Sequence, residues 1–178
     1  MSSALSTLAT GAPYHVFAYS ILFGSTVYQS FFVGITAFRA LPRQHFAALQ
    51  RKIFPPYFAM QAIIPAFLAL TAPFPILDDK KSLTILAFTA VTALVNLISV
   101  GPQTVKLMNE RKAQETKEGK KYYDAEVSDE MKALNKKFGM IHGISTLVNL
   151  GTLFAIGAYG VTLSAAMAKG FVVATIAE

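Results

Sequence analysis

The sequence predicts an all-α protein: a four-helix transmembrane bundle with a charged helical loop between helices 3 and 4. Two observations lead to this. Only 15% of the 178 residues are charged, against about a quarter in soluble proteins. The charges are also segregated, being absent from Met1 to Phe38, Ile53 to Leu77, Ser82 to Val105 and Phe138 to Ala168. A helix needs roughly 20 apolar residues to cross about 30 Å of hydrocarbon, and each gap exceeds that length. The chain thus reads as one transmembrane domain, 1–178.

The first span is placed at about 13–38. No Arg precedes it, no basic n-region opens it, and it is longer than the apolar core of a signal peptide, so cleaved targeting segments are not expected. The second span, about 54–77, is rich in proline. Pro55 and Pro56 are expected to start it, Pro65 to kink it, and Pro73 and Pro75 to end it. The third, about 83–105, is expected to bend or end at Gly101–Pro102. The fourth is placed at about 138–159. Beyond Gly157 and Gly160 the tail, 160–178, is short and interrupted by Lys169; luminal, interfacial and membrane placements all remain open.

Sidedness follows from the cations. The loops at 39–53 and 106–137 carry four and nine Lys/Arg, whereas the opposite side has only Lys80, Lys81 and Lys169. The positive-inside bias assigns both loops to the cytoplasm and both termini to the lumen or exterior, with the endoplasmic reticulum or another endomembrane as the expected location. The first loop has Pro42 suited to a first helical turn, then Phe46, Leu49 and Ile53 at helical spacing. It reads as a tight connection whose cations fix orientation, or as a segment resting on anionic lipid at 39–52. The second loop mixes nine basic and seven acidic residues and reads as a solvated stalk. Gly119 closes its first helix, and Ser128 caps the next, with Asp129 and Glu130 in the first turn.

No Asp, Glu, Lys or Arg is expected within a span, which argues against coupled carriers and proton relays. The polar candidates are neutral. Asn96, Ser99 and Gln103 fall at i, i+3 and i+7 on the third helix. His142, Ser145 and Asn149 repeat that spacing on the fourth, and Gln29 and Gln61 are the amides of the first two. These stripes read as interhelical glue or as a polar path or ligand pocket. Gly139/Gly143, Ser20/Gly24 and Ser30/Gly34 are small-residue packing pairs. With no Cys and three scattered His, no metal, cofactor or catalytic centre is expected, and the charge pattern does not suggest a nucleic-acid partner.

The stretch FRALPRQHFAALQRKIFPPYF resembles the signature of the transmembrane protein 205-like family, a eukaryotic multi-pass domain of unknown function. The matching residues are Phe38, Arg39, Leu41, Pro42, Arg43, Phe46, Gln50, Lys52, Phe54, Pro55, Tyr57 and Phe58. Asn96, Pro102, Thr104 and Met108 resemble the end of the family's third span. Phe138, His142, Gly143, Ser145, Asn149, Leu150 and Gly151 resemble the opening of its fourth. The loop after Met108 and the lack of Cys and Trp depart from some members. The resemblance implies four spans and no particular reaction. Its residues suggest a cytoplasmic-face constellation of Arg39, Arg43, Gln50, Thr104 and His142, beside an intramembrane stripe of Asn96, Ser99, Gln103, Ser145 and Asn149. The expected function is a non-enzymatic assembly, stress-tolerance or membrane-organising component, with a homo-oligomer or another membrane protein as partner. The alternative is a small channel or transporter for an uncharged or drug-like solute.

Overall fold

The structure, a computed structural model, describes residues 2–176 and the side chains of residues 5–169. The described residues contain no strand. A short helix, α1 (Ser2–Leu8), precedes four long ones. Helix α2 runs continuously over Ala12–Ala40, α3 over Arg43–Thr71 and α4 over Lys80–Glu118; α5 runs over Asp129–Ile176. All four are long and apolar enough to cross a membrane. They alternate in direction and close into a ring, α2 against α3, α3 against α4, α4 against α5 and α5 back against α2.

Local chemistry fixes the ends. Leu41 is extended (φ −108°, ψ 144°) because Pro42 follows it, and Pro42 is the N-cap of α3. The α2–α3 connection is therefore tight, and the basic residues after it already belong to α3. Pro55 and Pro56 lie inside α3 instead of starting it. A proline deprives the carbonyl four residues earlier of its donor. Here those carbonyls belong to Arg51 and Lys52, on an exposed turn at the charged end of the bundle. At the far end Ala72 is extended before Pro73 and stops α3. Asp79 then caps α4, accepting the Ser82 N–H at 3.2 Å and its hydroxyl at 2.6 Å.

Two π-helical turns interrupt otherwise regular helices, Gln29–Val33 in α2 and Asn96–Val100 in α4. Each is followed by glycine. The Gly101 N–H bonds back to the Asn96 carbonyl, and a Cβ on Gly101 would stand 2.7 Å from that oxygen. Pro102, with no N–H to return, follows directly. The Gly101–Pro102 pair thus produces a wide turn, and α4 continues past it to Glu118.

Helix α5 likewise passes the expected end at Tyr159. Gly160 is helical and lets the Tyr19 ring lie against the backbone: a Cβ there would collide with the Tyr19 hydroxyl. The tail is helical to Ile176, and the last two residues of the 160–178 segment lie outside the described residues. Leu22, Leu68, Ile76, Leu86, Ile156 and Tyr159 form the apolar core at the end remote from the 119–128 hairpin. Phe17, Phe154 and Val161 point outward, exposed by 63%, 69% and 71%, as suits a lipid-facing surface.

Between α4 and α5 the chain reverses through Gly119, in the left-handed region at φ 66°, as expected of a helix-ending glycine. The Ser128 hydroxyl accepts the Met131 N–H at 3.1 Å and donates to Glu118. Gln114 donates to the same carboxylate, and these bonds hold Glu118 below its ordinary 4.5. The sign follows from linkage: a carboxyl with a depressed folded value stabilises above its unfolded value and loses that contribution as pH falls through the folded one. Amide protection at 119–128, taken relative to the intrinsic exchange rate at each pH, is therefore expected to fall when pH drops from 7 to below 4.5. Glu118→Gln should flatten that dependence; equal pH sensitivity in both proteins would refute the assignment.

Candidate functional site

The polar interior forms one layer near the middle of the four helices. In α3, Gln61 is fully buried and Tyr57 nearly so. The Gln61 Nε2 lies 3.0 Å from Thr26 Oγ1 in α2, 2.9 Å from the Tyr57 hydroxyl and 3.3 Å from Asn149 Oδ1 in α5. Tyr57 donates to Asn149 Oδ1 at 3.0 Å, and the Asn149 amide donates to Ser30 Oγ at 3.2 Å. From α5, Ser145 donates to Asn96 Oδ1 of α4 at 2.9 Å. Gln29 and Gln50 face each other at a long 3.5 Å. All four helices contribute, and both π turns begin on an amide of this layer, Gln29 or Asn96.

The turn at Asn96 decides which of its neighbours face inward. A regular helix would bring Ser99 and Gln103 round with Asn96 at i+3 and i+7. The π turn inserts an extra residue into the cycle, so Val100 is buried instead, while Ser99 and Gln103 are exposed and bond to each other at 3.2 Å. Of the expected stripe, Asn96, Ser145 and Asn149 enter the layer. Thr26, Ser30 and Tyr57 belong to it as well; spacing singled out only Ser30, and as a packing residue with Gly34.

The five residues of the expected constellation have surroundings of their own. Arg39 is exposed in the last turn of α2. The Arg43 guanidinium lies over the Phe38 ring at 5.3 Å and the Tyr123 ring at 5.1 Å. Gln50 joins Gln29, and Thr104 bonds to the Val100 carbonyl of its own helix at 2.8 Å. His142 is exposed and stacks on Phe138, 5.7 Å between centroids. Among the described residues no hydrogen bond or ring contact joins any two of the five.

Arg111 organises the charged end. It is 8% exposed, with its guanidinium 3.7 Å from the Tyr122 centroid and 4.4 Å from that of Phe138. Buried Glu115 accepts the Tyr122 N–H at 3.0 Å, and Asn135 donates to the Tyr122 carbonyl at 2.8 Å. Across the bundle, Arg51 donates to Asn109 at 2.6 Å. Neighbouring tyrosines thus cap two arginines, Tyr122 on Arg111 and Tyr123 on Arg43. The stalk is packed against the bundle, and the sequence signal was the Tyr122–Tyr123 pair inside an otherwise charged loop.

At the opposite end, His15 Nε2 meets the Tyr159 hydroxyl at 3.0 Å, and its Nδ1 meets Thr71 Oγ1 at 3.2 Å. This ties α2, α3 and α5 together. No group of three or more His, Cys, Asp or Glu that could hold a metal ion occurs among the described residues.

Four long apolar helices, polar at their seams and charged at one end, define a multi-pass integral membrane protein. Within that class, the chain belongs to the family described as a domain of unknown function, DUF4149, whose profile matches residues 17–113. That match covers both π turns and Arg111. The chain is also similar to "Xanthocillin biosynthesis cluster protein D" of Aspergillus fumigatus, 31% identical over 173 residues, 96% of this chain and 99% of that protein. No solved structure matches it.

Proposed function

We propose that the protein is a non-enzymatic multi-pass component of an internal membrane, of the transmembrane protein 205-like kind, that assembles or organises other membrane proteins. The supporting observation is where its polar groups are used. Gln61, Tyr57, Thr26 and Asn149 bond to one another across three helices, which is how a bundle is held together. The outward faces carry apolar side chains suited to lipid or to a partner's helices. The charged hairpin, fixed through Arg111, offers a shaped head for recognition. The positive-inside bias supports a cytoplasmic hairpin, luminal or extracellular termini and an endomembrane such as the endoplasmic reticulum. Arg39, Arg51 and Lys52 are exposed at that end and suit anionic lipid. Stress tolerance would be a consequence of such organisation.

A second reading, a channel or transporter for an uncharged solute, is favoured by the amide and hydroxyl layer at mid-bundle. One comparison separates the two. Native mass spectrometry of protein gently extracted from its own membrane is expected to show it bound to another membrane protein. A homo-oligomer retaining a small molecule, with solute flux in proteoliposomes abolished by Asn96→Leu, would instead establish transport.

A further inference from the structure

The mid-bundle layer does not close on itself. Gln61 is 0% and Asn96 1% exposed, and each keeps one side-chain atom without a hydrogen-bond partner, Gln61 Oε1 and Asn96 Nδ2. Both side chains bond to the same face of α5, Gln61 to Asn149 and Asn96 to Ser145, one helical turn apart. A third group adds to the deficit. Pro65 has no N–H, so the main-chain carbonyl of Gln61 lacks its i+4 donor.

Unmet polar atoms are costly in hydrocarbon, where the surroundings supply no partner. Turning the amides does not remove the deficit. Rotating Gln61 or Asn96 by half a turn exchanges nitrogen for oxygen and leaves an unmet atom of the other kind in the same place. Whatever completes the layer must therefore both donate and accept. It should also be uncharged, since the contacts of the layer are supplied by amides, hydroxyls and a phenol. The wide turn at Asn96, held by Gly101, belongs to a class of helix distortion frequent at functional sites.

We propose that this layer, at the unmet atoms of Gln61 and Asn96 beside Ser145, is a binding site for a small uncharged hydroxylic molecule, water or an alcohol. A hydroxyl accepts from an amide N–H and donates to an amide oxygen, so it meets the need in either amide orientation. The site does not depend on solute crossing the membrane: an assembly component can hold such a molecule as readily as a transporter.

The test is solid-state NMR of the full chain in lipid bilayers, with nitrogen-15 in the Asn and Gln side chains. Loss of the respective peaks in Asn96→Leu and Gln61→Met assigns the two amides. Polarisation from water protons is expected to reach them several-fold faster than the Asn149 amide, which is bonded through both of its atoms. Repeating the transfer in deuterated water with protonated ethanol separates the sources. Transfer from the ethanol methyl identifies an alcohol-accepting site, and transfer from water alone identifies a water site; both support the proposal. Polarisation reaching Gln61 and Asn96 from protein protons only would overturn it. If a variant does not fold, the other still assigns one amide, and its transfer rate decides.

Discussion

Arg111→Ala is expected to release the 119–128 segment from the bundle and to cost about 2–4 kcal/mol of stability in detergent or lipid. The guanidinium is buried between the rings of Tyr122 and Phe138, on different elements, so its loss opens a gap between them. It also removes one of two cations near Glu115, only 7% exposed, leaving Lys112 at 3.4 Å as its ion-pair partner. Removing one cation from a mostly buried charged cluster weakens what compensates the desolvated carboxylate, and this adds to the lost ring contacts. Arg111→Lys should recover part of the loss, since lysine restores charge without a plane to stack on rings. Amide exchange and limited proteolysis at 119–128 supply the readout. Unchanged protection in Arg111→Ala would show that Ser128 and the Tyr122 backbone bonds hold the hairpin alone.

The second large effect is expected from Gly101→Ala. Its Cβ would stand 2.7 Å from the Asn96 carbonyl oxygen, and a backbone atom cannot yield as a side-chain tip can. Overpacking of this kind costs about 1–3 kcal/mol. If the turn relaxes to α geometry, the residues after it rotate by about 100°. Arg111 would then leave the ring pair and Glu115 the Tyr122 N–H, so this substitution, ten residues from Arg111, should reproduce the hairpin exposure of Arg111→Ala. Gly34→Ala is the control. Its Cβ would lie 3.4 Å from the Gln29 carbonyl, near ordinary contact, and the protein should keep both its melting temperature and its hairpin protection. Equal stability for Gly101→Ala and the parent chain would mean that the wide turn is not specified by this glycine.

The contrast between those two substitutions also explains what was readable in the chain. Hydrocarbon imposes a strong constraint on composition, so the charge-free runs around Leu22, Leu68, Leu86 and Ile156 announced four long helices. The caps at Gly119 and Ser128 were legible because each answers a local need of one helix end. The wide turn at Asn96 was hidden, since spacing rules assume a constant number of residues per turn. That assumption placed Ser99 and Gln103 beside Asn96, when one inserted residue turns them outward. Pro55 and Pro56 misled for another reason: a proline marks a helix start only where its missing bond could not be supplied otherwise. The pairing of Gln61 with Thr26 and Asn149, or of Arg111 with Tyr122 and Phe138, depends on which helices meet, and neighbouring residues do not encode that.

The length of α5 has a mechanical consequence. Its 48 residues make a rod of about 72 Å, more than twice the hydrocarbon thickness. At one end it carries Phe138 against Arg111, and farther along it carries Tyr159 against His15. It is therefore a lever whose two grips lie near opposite faces of the bilayer. A tilt of about 10° about the Phe138 grip would displace Tyr159, about 32 Å along the rod, by about 5–6 Å. One rigid element thus joins the hairpin contact to the His15 contact.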